Sequence, residues 1–227
     1  MGQLIFALFI SIGLPLMALI YAFYRKRPRA FLLGVLAFVV SQLVLRLPLL
    51  EYVSKNSTSF AMLRVTEPIL YVLVLALSAG VFEELSRYVM MWFFLQQRDW
   101  LSGFLFGAGH GGIEAVLFVG ISAFTLLFSQ ALIPEHASFF AGGVERFFAM
   151  ILHIGLSLIV LRSVVEKKFL FVIVAIAIHM FVNAVAGILP LFVPEAFRLI
   201  VLEGAIAVMA LAVFSYSLAL KKKGVLQ

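Results

Sequence analysis

The stretch Phe82-Glu83-Glu84-Leu85-Ser86-Arg87-Tyr88 sets two carboxylates and a guanidinium in the middle of a long apolar segment. An ionisable group at a bilayer centre carries an insertion penalty on the order of 2.5–3.5 kcal/mol on translocon scales, so adjacent acids there point to a buried functional site. On a helix Arg87 lies three residues after Glu84 and four after Glu83, within reach of either carboxylate and able to keep at least one ionised. Three of the four histidines fall in other apolar segments, and each has a polar partner four residues on: His110 with Glu114, His153 with Ser157, His179 with Asn183. That spacing puts each pair on one helix face. Carboxylates and imidazoles together activate water, directly as general bases or on a bound divalent metal. Asn183 and a neutral histidine can donate hydrogen bonds to a developing oxyanion. The chain has no cysteine, which removes thiol nucleophiles and thiolate metal ligands and leaves an oxygen or a metal-bound water as nucleophile. The same groups without water activation would serve a proton or ion pathway.

The elements that hold these groups are membrane helices. The chain of 227 residues is 64% hydrophobic, has a mean hydropathy of +1.16 and only 12% charged residues, against about 25% in soluble domains. Apolar runs fall near residues 3–24, 30–50, 68–96, 101–129, 144–162, 169–190 and 196–220, with short connections and no alternating barrel pattern. The expectation is an all-α, polytopic transmembrane bundle of about seven spans forming one domain over 1–227, with the motif-bearing core at 67–190. The first run lacks a basic leader and a small-residue cleavage site, so it reads as an uncleaved span. No internal repeat supports an inverted-repeat transporter.

Alternating sides gather Arg25, Lys26, Arg27, Arg29, Arg98, Arg162, Lys167, Lys168, Lys221, Lys222 and Lys223 on one face and Arg46, Lys55, Arg64, Arg146 and Arg198 on the other. By the positive-inside rule this is N-out, C-in. Arg87 is then the one basic residue left inside, and the net charge of +6 is a topology signal that needs no nucleic-acid partner. The segments 51–67 and 130–143 read as polar outer loops, with His136 solvated, and Glu203 reaches toward the outer end of the last span.

Counted from the same face, His110, His153, His179 and Glu84 lie nine to twelve residues into their spans, a depth of roughly 14–18 Å at 1.5 Å per residue and near the middle of a core about 30 Å thick. Four helices thus deliver ionisable groups to one layer. Around His110, Gly107, Gly109, Gly111 and Gly112 would let a backbone or a substrate approach closely. The competing readings are structural: an ion pair locking two helices, small-residue packing, and a core histidine at 153 with Ser157 bonding its own helix.

This ordered set resembles the CAAX-protease and bacteriocin-processing (ABI/CPBP) superfamily of intramembrane peptidases. Its pattern is paired glutamates with a downstream arginine, a histidine in the next helix, and then a histidine four residues before an asparagine or aspartate. Two residues, Leu85 and Ser86, separate Glu84 from Arg87, and the histidine motif is Gly-His-Gly-Gly-Ile-Glu with Phe106 four residues before His110. Both features look closer to the YhfC-like membrane peptidase branch. The resemblance implies an intramembrane endopeptidase in the cell membrane, a multi-pass protein acting in the lipid bilayer on a membrane-embedded or lipid-modified protein or peptide. Glu83 or Glu84 with His110 would activate water, His179 and Asn183 would bind the oxyanion, and Arg87 would orient the glutamates. Zinc is the cofactor the donors admit, through Glu114, His110, His153 and His179. The resemblance implies nothing about oligomeric state. The alternative is a non-catalytic membrane protein, either a proton-coupled transporter or a pseudo-enzyme that binds a partner or confers bacteriocin immunity.

Overall fold

The computed structural model describes residues 1–129 and 138–226. Among the described residues, seven helices are long and apolar enough to cross a membrane: α1 Gly2–Tyr24, α2 Pro28–Asn56, α3 Pro68–Phe94, α4 Trp100–Ser129, α5 Phe139–Glu166, α6 Leu170–Leu191 and α7 Glu195–Lys222. Their ends follow local chemistry. Pro28 and Pro68 open α2 and α3, where a missing N–H costs nothing. Asp99 Oδ1 accepts the Ser102 amide at 2.9 Å and Ser138 Oγ the Ala141 amide at 3.2 Å, which caps α4 and α5. Lys167, in the left-handed conformation at φ 54°, stops α5.

The hub is α5, of whose apolar window 72% is buried, against 11% for α7 at the rim. Glycines bring α4 into backbone contact with helices on two sides. A Cβ on Gly107 would lie 2.4 Å from Ile154 Cα of α5, and one on Gly109 would lie 2.1 Å from the Phe31 carbonyl oxygen of α2. On the facing side, a Cβ on Gly34 would meet the Phe106 carbonyl at 1.9 Å. In a bilayer, where apolar side chains gain little by leaving lipid, such close backbone packing is what holds helices together. The glycine run is therefore occupied by protein backbone.

Parts of two expected loops, 51–56 with 58–66 and 139–143, are helical instead. Within 51–67, α2 continues to Asn56, and a short helix spans Thr58–Thr66 with Ser57 Oγ accepting the Phe60 amide at 3.2 Å. The polar residues there are spaced as on a helix surface, as the 2.5 Å Glu51–Lys55 pair at i,i+4 shows; polarity was the wrong signal for a loop. Likewise Gly142 and Gly143 lie in the first turns of α5, where a Cβ on Gly143 would stand 2.8 Å from the Phe6 ring of α1. His136 lies outside the described residues. Seven crossings put the two chain ends on opposite faces, called below the N-terminal and C-terminal faces.

Candidate active site

The paired acids sit at mid-length of α3, with Glu83 4% exposed and Glu84 and Arg87 wholly buried. Arg87 approaches both carboxylates, Nη2 at 3.6 Å from Glu83 Oε2 and Nη1 at 3.4 Å from Glu84 Oε1. Its shorter contacts cross to α5, where Nη2 lies 2.6 Å from His153 Nδ1 and Nη1 donates to the His153 carbonyl at 3.3 Å. A guanidinium only donates, so Nδ1 must be the acceptor and the proton of a neutral His153 sits on Nε2. That nitrogen faces Glu114 Oε2. Arg87 thus selects one histidine tautomer and leaves the His153 Nε2–H in ion-pair range of Glu114 Oε2, which takes no hydrogen bond of good geometry from the described residues. Glu114 Oε1 accepts Arg146 Nη1 at 2.7 Å, and Arg146 also bonds Glu145.

The two glutamates have different surroundings. Glu83 Oε1 accepts the Gln42 side-chain amide, Oε2 accepts His110 Nε2 at 2.9 Å, and His179 Nε2 stands 3.8 Å from Oε1. Glu84 Oε1 instead accepts His179 Nδ1 at 2.6 Å. With its proton on Nδ1, a neutral His179 carries its lone pair on Nε2, toward Glu83. Ring centroids of His110 and His153 lie 5.1 Å apart, and those of His153 and His179 5.6 Å, so α3, α4, α5 and α6 do bring these groups together. His110 Nδ1, Glu84 Oε2 and Arg87 Nε have no partner among the described residues.

A cavity of about 190 Å³ adjoins this cluster. Glu83, Glu114, His153, His179 and Asn183 line it, whereas Glu84, Arg87 and His110 do not and act from behind the wall. Ser157 is buried away from the cavity, and its hydroxyl has no partner among the described residues, its own helix carbonyl included.

Four lining residues escaped sequence reasoning: Gln42, Arg46, Glu145 and Arg146. The sequence places Arg46 and Arg146 among the outer flanking cations with Arg87 alone inside; the structure corrects this. Arg46 turns inward and donates to Gln42 Oε1 at 2.9 Å, Ser78 Oγ at 3.0 Å and the Leu75 carbonyl at 2.9 Å. Because Arg46 only donates and the Glu83 carboxylate accepts, the Gln42 amide between them has one workable orientation. Both residues lie on the π-helical stretch Val39–Arg46 of α2, a widened turn of the kind that recurs at functional sites. The available signal was a lone amide in an apolar run with a cation four residues on, the spacing of the histidine pairs.

A metal can be tested against these donors. Glu83, His110 and His153 offer ligand atoms that all lie within 4.8 Å of one another, and one carboxylate with two imidazoles suits zinc. Glu114 is engaged by Arg146 and His153, and His179 by Glu84, which leaves Glu83 as the cluster's carboxylate. His153 spends its lone pair on Arg87, so its ligation of an ion would displace that contact. The donor types fit, with that rearrangement.

A family model described as "YhfC intramembrane metalloprotease" matches residues 7–137 and 125–202. The chain is 33% identical over 193 residues to a Bacillus subtilis (strain 168) protein named "Uncharacterized membrane protein YhfC", covering 72% of this chain and 74% of that one. No solved structure matches it.

Proposed function

The chain belongs to the YhfC intramembrane metalloprotease family, and from that premise we propose that it hydrolyses peptide bonds of a membrane-embedded or lipid-modified protein or peptide, in the cell membrane, with Glu83 as the base that activates water. The observation that carries this reading is that Glu83, alone of the paired acids, reaches the cavity, where His179 Nε2 stands 3.8 Å from it and Asn183 shares the wall. Gln42, His110 and Arg87 all present donors to Glu83, which holds it ionised and in one orientation. Glu83 takes a proton from water as the oxygen attacks the carbonyl carbon. Asn183 donates to the resulting oxyanion, joined by His179 in its doubly protonated form, whose Nε2–H is free while Nδ1–H bonds Glu84. As the C–N bond breaks, the proton held on Glu83 passes to the leaving nitrogen. Glu84 anchors His179 through Nδ1, so its role is positioning.

Glu83, His110 and His153 would hold zinc, which when bound would supply Lewis-acid polarisation and a lowered pKa for water; a Glu83 that ligates the ion is not free to serve as base, so the two modes are alternatives. The experiment that tests the function compares membrane-proteome fragments from a deletion strain carrying either the wild-type protein or Glu83→Gln. Fragments present only with wild type support hydrolysis, and identical fragment sets would leave transport or partner binding in front.

A further inference from the structure

The cavity extends from the cluster in one direction only. Following each helix from its site residue, the lining residues Ala79 on α3, Glu114 and Phe118 on α4, Arg146 and Ala149 on α5, and Asn183 and Ala186 on α6 all lie nearer the N-terminal face than Glu83, His110, His153 and His179. In the other direction the bundle is closed. Met91, Phe106, Leu156, Ile159, Val172 and Ala175 on the same four helices are 0–2% exposed and form an apolar plug. A path to the C-terminal face would have to open that packed core, where interiors leave few voids larger than a water molecule.

With Arg46 and Arg146 now assigned to the interior, only Lys55, Arg64 and Arg198 remain as cations of the N-terminal face, while the basic residues of the opposite face stay where the sequence put them. The charge asymmetry is sharper than the sequence alone implied, and it makes the N-terminal face the extracytoplasmic one.

We infer that the site takes both water and peptide from the extracytoplasmic side, and that its substrates are segments whose scissile bond lies in the outer half of the membrane or just outside it. The word substrate rests on the peptidase reading; the route does not. The vestibule is suited to an extended polar backbone. Asn183 offers an amide to the passage, and Arg146 is shared by Glu114 and Glu145, so a neutral peptide meets polar partners spaced among the apolar lining residues. An exposed backbone cannot be left unbonded in lipid, and this polar wall meets that requirement only on the side where the cavity opens.

The absence of cysteine allows a direct test. Ala149→Cys and Ala186→Cys, two small substitutions on different helices of the vestibule, are exposed to a membrane-impermeant methanethiosulfonate in intact cells and in inverted membrane vesicles, with Ser138→Cys and Lys222→Cys as reference positions. The expected result is that both vestibule cysteines label with Ser138→Cys in intact cells, at least tenfold faster than in inverted vesicles. Labelling with Lys222→Cys, or at neither position from either side in folded protein, overturns the proposal. Two positions guard against one variant failing to fold. The reading needs no turnover, so a protein labelled as expected but cleaving nothing keeps the route and loses the peptidase assignment.

Discussion

At the residue scale, neighbouring glutamates with the same chemistry are separated into different tasks by what they face. Glu83 lines the cavity and receives three donors, while Glu84 is wholly buried and bonded to His179. Glu83→Gln should therefore leave the fold intact and lower turnover by about 10²–10⁴-fold, the usual share of a general base. Glu84→Gln should be milder in turnover, since it weakens the anchoring of His179 and the pair with Arg87 but removes no group that lines the cavity. The Glu83→Gln, His179→Gln double variant should be scarcely worse than Glu83→Gln, because groups acting as a unit are not additive. Initial rates on folded protein in proteoliposomes decide it, and a larger loss in Glu84→Gln would reverse the assignment. Gln42 supplies a second case. Replacing it with Leu strands Glu83 Oε1 and one nitrogen of Arg46 in a buried setting, and an unsatisfied buried polar group costs roughly 1–3 kcal/mol. The melting temperature of Gln42→Leu in detergent should fall, and an unchanged value would show that Gln42 is a bystander.

At the element scale, the site depends on how closely α4 lies between α2 and α5. Gly109 precedes His110 and has no room for a side chain against Phe31. Gly109→Ala must push α4 from α2, with a cost of about 1–3 kcal/mol for overpacking, and must carry His110 with it; lower thermal stability and lower turnover should appear together. Stability lost without turnover would separate the packing from the chemistry. The turn between α3 and α4 predicts a pH effect. Partial burial alone would raise the Asp99 carboxyl, but hydrogen bonds from Arg27 and the Ser102 amide outweigh it and hold it below the usual carboxylate value. A group depressed on folding stabilises the fold above its unfolded pKa of about 3.9 and loses that contribution as pH falls through the lower folded value. The melting-temperature gap between wild type and Asp99→Asn should accordingly be constant near neutrality and shrink below about pH 4. A gap independent of pH down to acid unfolding would assign the effect to the helix cap alone.

At the scale of the whole molecule, the uneven distribution of basic residues over seven crossings predicts an N-out, C-in orientation. Cysteines at Lys222 and Ser138 should label from opposite sides of the membrane, Lys222 from the cytoplasm. Same-side labelling would mean an even number of crossings between the two positions, and His110, His153, His179 and Glu84 would then not share one depth. The interior holds more charge than the sequence suggested, because Arg46 and Arg146 turn inward toward Gln42 and Glu114. Among the described residues, a cavity ending at a carboxylate lies on one side of the cluster and a packed apolar layer on the other.

The sequence by itself determined the all-α bundle, since only internally hydrogen-bonded helices satisfy a long apolar chain in lipid. It also determined which helices carry the reactive groups and at what depth, because a helix advances by a constant rise and the loops mark its start. It could not say which way those helices turn. The choice between Glu83 and Glu84 as the cavity carboxylate was left open, since adjacent residues on a helix point in directions about 100° apart and either one can face inward. Helicity at 51–56, 58–66 and 139–143 was hidden by polar and glycine composition that helix surfaces and close crossings share with loops. Gln42, Arg46 and Arg146 became part of the site only through tertiary structure. Their partners are on other helices or at the far end of a bent side chain, and a cation near a helix end can reach out to the interface or inward to a buried acceptor. That choice is made by whichever side offers hydrogen bonds, and the neighbouring helices offered them inside.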